Sequence, residues 1–132
     1  MNENKTTSRT ENGSVHISDE VVASIAALTA VEVEGVAALS SGVDIGELLG
    51  RRNLSRGVKI TVKDRTVYLD ISMLVRYAFA IPIVAKKVQR KVKDAVESMT
   101  GLTVGEINIQ VFGVLFDKAA KKKISREKKR NP

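Results

Sequence analysis

Between Val58 and Arg76 the chain alternates apolar and polar residues almost without a break, and this constrains the fold more than any other feature. In VKITVKD, Val58, Ile60 and Val62 fall on one side and Lys59, Thr61 and Lys63 on the other. In TVYLDISMLVR, Val67, Leu69, Ile71, Met73 and Val75 face one way, and Tyr68, Asp70, Ser72 and Arg76 the other. A period of two marks a strand with one buried face. The tight connection around Asp64 and Arg65 predicts an antiparallel hairpin. A slip of one residue would turn the whole apolar set to water, so the register is strongly specified.

Two helices are expected around this hairpin. In IPIVAKKVQRKVKDAVESM, residues 81 to 99, the apolar positions 81, 84, 85, 88, 92, 95, 96 and 99 form a single stripe of helical period, and Pro82 suits the first turn. What remains is Lys86, Lys87, Arg90, Lys91 and Lys93, with Asp94 and Glu97. Arg90 with Asp94 and Lys93 with Glu97 stand four apart with the base ahead of the acid, an order worth at most a few tenths of a kcal/mol. This side has two readings: the wet side of an ordinary core helix, or a secondary basic face for a polyanion or membrane. The earlier helix has a marked start, with Ser18 as cap, Asp19 and Glu20 in the first turn, and Ile17 placed to staple onto Val22. Apolar positions 21, 22, 25 and 28 recur at helical spacing, and Gly35 offers a left-handed stop.

SVHIS reads as a short strand leading into that helix, and VAALS, 36 to 40, as a short buried strand after it. SGVDIGELLGRRNLSRG is expected to be a long loop with one helical turn at Ile45, Leu48 and Leu49. A final strand, TVGEINIQVFGVLF, is fed by a turn at Gly101 and alternates from Glu106 to Phe112 with Ile107, Ile109 and Val111 inward. The fold class that follows is α+β: a two-layer sandwich with two amphipathic helices on one face of a small, mostly antiparallel sheet. The other sheet face would carry Lys59, Thr61, Lys63, Tyr68, Asp70, Ser72, Asn108 and Gln110, together with Leu74 and Phe112. An open, partly apolar face of this kind hints at self-association, although an ordinary wet face is the commoner case.

A chain of 132 residues holds one such core. Residues 1–13 lack apolar periodicity and are expected to be a disordered N-terminal tail, leaving 14–116 as a single domain. The formal net charge of +7 sits almost entirely in 117–132: Lys118, Lys121, Lys122, Lys123, Arg126, Lys128, Lys129 and Arg130 oppose only Asp117 and Glu127. This basic C-terminal tail is the first candidate for polyanion or membrane contact. It would attract nucleic acid by counterion release or lie against anionic lipid, where each cation contributes on the order of 1 kcal/mol. A solubilising tail is the competing reading. The sequence predicts no secretory signal and no transmembrane segment, so a cytoplasmic chain with at most peripheral contact at the inner face of the cell membrane is expected.

No residue set points to a reaction. There is no cysteine and one histidine, His16, so thiolate chemistry and a multi-histidine metal site within one chain are excluded. Glycines at 42, 46 and 50 recur every four residues, but no GK[ST] follows to make a phosphate loop. Asp64, Asp70, Asp94 and Glu97 form no close inward pair, and the patterns of the KH and RRM modules are missing. The expectation is no catalytic residue, no cofactor and no metal.

SVHISDEVVASIAALTAVEVEGVAALS, followed by GVKITVKDRTVYLDISMLVRYAFAIPIVAKKVQRKVKDAVESMTGLTVGEINIQVFGVLF, resembles the alkaline shock protein (Gls-type envelope stress response) family of Gram-positive bacteria. The pieces that carry the resemblance are the E-V-E-G-V-A-A-L junction, the Y-A-F-A-I-P-I-V-A-K-K-V-Q stretch and the I-N-I-Q-V-F-G-V close. It spans roughly residues 14 to 116 and leaves both tails outside. The resemblance implies a non-enzymatic protein of the envelope and alkaline stress response, a scaffold or adaptor with a protein partner. In one branch of the family that partner is a membrane anchor; another branch is cytoplasmic and associated with fatty-acid synthesis. No catalytic residue carries over.

Overall fold

The computed structural model describes residues 5–39 and 57–116, with side chains described from Thr10 onward. Strand β1 (Lys5–Thr10) pairs with β2 (Gly13–Ser18). Helix α1 (Asp19–Glu32) and strand β3 (Val36–Leu39) follow. The chain continues with β4 (Val58–Lys63), β5 (Thr66–Arg76), helix α2 (Ile81–Thr100) and β6 (Thr103–Leu115).

Strand β5 organises the sheet. One of its edges is shared end to end by two antiparallel partners, β4 along Thr66 to Ile71 and β3 along Met73 to Val75. Its other edge runs parallel to β6 from Thr66 to Arg76. Parallel pairing needs a crossover, and α2 supplies it. The expected α+β two-layer sandwich with a mostly antiparallel sheet is therefore what forms, with β5–β6 as the parallel exception.

The inward residues of β5, Val67, Leu69, Ile71, Met73 and Val75, are all buried, and so are Val84, Val88, Val92 and Val96 of α2. Valine is a poor helix former because branching at Cβ restricts χ1. Four valines at every fourth position are tolerated because each fills the layer between helix and sheet, where burial outweighs propensity. The end of α2 is tied to β6 twice over: Gly101 caps it in the left-handed region at φ 75°, and Val104 N–H donates to Glu97 Oε2 at 2.9 Å. That bond commits one oxygen of Glu97 to the backbone.

Two expectations need correction. Residues 5–10 were expected to lack structure, yet they form β1, in register from Lys5 opposite Ser18 to Thr10 opposite Gly13. The reversal at Thr10-Glu11-Asn12-Gly13 explains it: Asn12 N–H donates to Thr10 Oγ1, Thr10 Oγ1 donates to Gly13 O, and Gly13 at φ 138° takes a conformation other residues avoid. The polar composition of the strand hid a turn signal.

The second correction concerns α1. The helix is where the Ser18 cap placed it, with Ser18 Oγ accepting from Val21 N–H at 3.3 Å. Of the apolar positions read from its sequence, however, Val21 and Leu28 are exposed at 48% and 49%. The core side is made by Val22, Ala23, Ala26, Ala27 and Ala30. Small side chains let the helix sit close to the sheet and to α2, so the alanines win the inward face and the larger residues turn out.

At the β4–β5 turn, Asp64 and Arg65 both lie at positive φ, 50° and 67°. This is the pattern of a type I′ hairpin turn, which Asn-Gly fits best. Replacing Asp64 by Asn and Arg65 by Gly is expected to stabilise the fold by about 1 kcal/mol, read as a raised denaturant midpoint at unchanged m. The loop expected over residues 41–57, with its glycines 42, 46 and 50, lies outside the described residues except for Gly57.

Candidate interaction surfaces

Because the two helices cover one side of the sheet, its other side is open. Strand alternation sends Lys59, Thr61 and Lys63 of β4, Tyr68, Asp70, Ser72 and Leu74 of β5, and Asn108, Gln110 and Phe112 of β6 to that side. The register builds rows across three strands. Lys59, Asp70 and Asn108 lie side by side, and Asn108 Nδ2 donates to Asp70 Oδ1 at 3.1 Å. In the next row Thr61 and Glu106 flank Tyr68, whose ring lies so close to Gly105 that an added Cβ there would stand 2.7 Å from Cε1. The opposite end of the face is apolar: Leu74 sits across from Gly113, and Phe112 and Leu115 are exposed at 41% and 44%. An aromatic contact between Tyr77 and Phe116, with centroids 5.0 Å apart, borders this end. The face thus has a hydrogen-bonding half and an apolar half.

The helical layer offers a second surface. Lys86, Lys87, Arg90, Lys91 and Lys93 are all exposed, as their positions opposite the valine stripe require. Beside them, Val21, Leu28 and Val31 of α1 stand exposed, a ridge the sequence reading assigned to the core stripe in part and otherwise missed. The signal was present: α1 carries no charge between Glu20 and Glu32, so its outer side is as apolar as its inner one.

The eight basic residues from Lys118 to Arg130 lie outside the described residues. His16 is exposed on β2. Among the described residues, no group of three or more His, Asp or Glu is placed to hold a metal ion, and no helix is long and apolar enough to cross a membrane.

Among the described residues, Asp19 is displaced from its ordinary behaviour. Burial pushes the Asp19 carboxyl up from 3.8, and its Oδ1 is buried with no hydrogen-bond partner among the described residues. A carboxyl raised in the folded state binds its proton more tightly there than in the unfolded chain. Its contribution to stability is therefore greatest at low pH and is lost as pH rises through the folded value. Asp19→Asn is expected to flatten the stability profile over that acidic range, measured by urea unfolding at a series of pH values.

A sheet of this topology, roofed by two helices and bearing an open face, defines a small two-layer α+β domain with surfaces suited to contact. Comparison with known proteins makes the class specific. A family described as the ASP23 family, with cell envelope-related function, matches residues 7–116. The chain belongs to this family. Its relatives include the uncharacterized protein YqhY of Bacillus subtilis, 36% identical over 110 residues that cover 82% of each chain. The uncharacterized protein YloU of the same species is 37% identical over 80% of this chain and 92% of that one. A stress response regulator gls24 homolog of Streptococcus pyogenes is 24% identical over 77% of this chain and 59% of its own length.

Proposed function

We propose that this chain is a non-catalytic scaffold or adaptor in envelope homeostasis, which holds a protein partner, a membrane anchor or a lipid-synthesis component, on the open face of its sheet. The observation that carries the reading is the division of that face: ordered polar rows at one end, and half-buried Leu74 with exposed Phe112 and Leu115 at the other. An apolar patch beside hydrogen-bonding groups is a composition suited to a protein contact surface. Membership of an envelope-related family supports the setting, and the stress-regulator name borne by one relative supports a role in the stress response. The partner's position decides whether the chain works at the inner face of the membrane or in the cytoplasm.

The basic tail supports a second, separable activity, because Lys118 to Arg130 concentrate the excess charge that a polyanion would neutralise. Affinity recovery after crosslinking in cells, with the full chain and with a chain ending at residue 116, separates the two. The adaptor reading expects the same protein partner with both chains. Loss of every protein partner with the tail, together with salt-sensitive recovery of nucleic acid by the full chain alone, would move the function to the tail.

A further inference from the structure

The outer surface of the helical layer is split by charge. From Ser14 to Leu39 the chain carries Asp19, Glu20, Glu32 and Glu34 and no lysine or arginine. In that stretch lies the exposed apolar ridge of Val21, Leu28 and Val31. Helix α2, packed alongside, presents five cations against two carboxylates, and one of those, Glu97, is engaged with Val104 N–H. Exposed Ile83 stands on the same outward side of α2 as Arg90.

An anionic membrane would meet cations on one half of this surface and carboxylates on the other. A second copy of the chain meets complementary charge on both halves. A two-fold axis parallel to the layer at its outer surface, running along and between the helices, sets the α1 of one copy over the α2 of the other and repeats the contact symmetrically. We propose that the chain pairs with itself through this helical face, α1 against α2, as an isologous dimer. The aliphatic stems of Lys87 and Arg90 lie over the ridge of Leu28 and Val31, while their charged ends reach the glutamates beside it. Burying an apolar helix flank removes the one part of the surface that α1's composition leaves unsolvated. The pairing leaves the sheet face free, so it goes beyond the adaptor reading and does not depend on it.

Sedimentation equilibrium of the full chain tests the proposal, with circular dichroism confirming that each variant is folded. The wild type is expected to dimerise. Leu28→Glu on one hand, and Lys87→Glu with Arg90→Glu on the other, are each expected to weaken dimerisation at least tenfold. Adding Glu20→Lys and Glu32→Lys to the second variant exchanges the sign of charge at these four positions in every chain, so that the new glutamates meet the new lysines, and is expected to restore pairing. A monomeric wild type, a dimer that survives either set of substitutions, or a double reversal that fails to restore it would overturn the proposal. So would a monomeric chain that binds phosphatidylglycerol vesicles through Leu28 and Arg90, which would put lipid on this face. Partner recovery by the sheet face is measured separately and is unchanged by Leu28→Glu, so either reading can fail alone.

Discussion

Leu69→Ala is expected to lower the free energy of unfolding by about 3 to 4 kcal/mol, one of the two largest single-residue effects in the domain. Leu69 is fully buried on the central strand, between Ile60 of β4 and Ile107 of β6. Both neighbours are held by backbone ladders, so the cavity left by truncation cannot collapse, and the cost approaches the upper part of the usual range. Against a total of roughly 5 to 15 kcal/mol this is a large share, seen as a melting temperature lower by roughly 10 to 20 °C. Ile60→Ala, at a half-buried position on the flanking strand, should cost clearly less. Equal losses at the two positions would mean that β5 is not the centre of the core.

Gly35→Ala is the second. Gly35 lies at φ +100°, and an added Cβ would stand 2.7 Å from Val84 Cγ2 and 2.9 Å from Phe79 Cδ1. Its carbonyl accepts from Arg76 N–H at 2.8 Å, which pins the junction between α1 and β3 to the end of β5. Backbone strain and overlap act together, and the expected loss is about 2 to 4 kcal/mol. Gly101→Ala provides the contrast, since Gly101 also has positive φ but nothing within 4 Å of the added carbon. It should cost only the conformational part, about 1 kcal/mol. Combining Gly35→Ala with Val84→Ala should cost less than the two changes summed, because removing the Val84 methyls relieves the overlap. Additive losses in urea unfolding would show that the crowding at this junction is not what makes glycine necessary.

How much of this was legible in the sequence depended on how local each signal was. The β4–β5 hairpin and α2 were readable because their apolar residues repeat at an unbroken period, and the α1 start because a cap announces itself within four residues. The inward side of α1 was not. Its residues are apolar all round, so no period distinguishes Val21 and Leu28 from Ala26 and Ala30. Only the closeness of the packed layers selects the alanines. Strand β1 was missed because KTTSRT has no apolar alternation, its pairing being set by the turn at Glu11 and Asn12 rather than by a buried face. The parallel union of β5 with β6 is a long-range pairing that neither strand's own pattern encodes.

The candidate surfaces divide in the same way. Alternation alone placed Lys59, Tyr68, Asp70 and Phe112 on one open face, and helical period alone placed Lys86 to Lys93 in water. The contact that ties Asn108 to Asp70, and the apolar ridge beside the basic helix, needed coordinates.

The account stands or falls on whether the open sheet face holds a protein. Photo-crosslinking in living cells from a reactive amino acid at position 112, with position 59 at the polar end and position 94 on the far layer as comparisons, measures this directly. The account predicts a discrete adduct from 112 with a protein other than a second copy of the chain, weakened by Leu74→Lys and absent from 94. Adducts from 94 with a protein other than a second copy of the chain, and none from 112, in cells where the intact chain still recovers its partner, would contradict it.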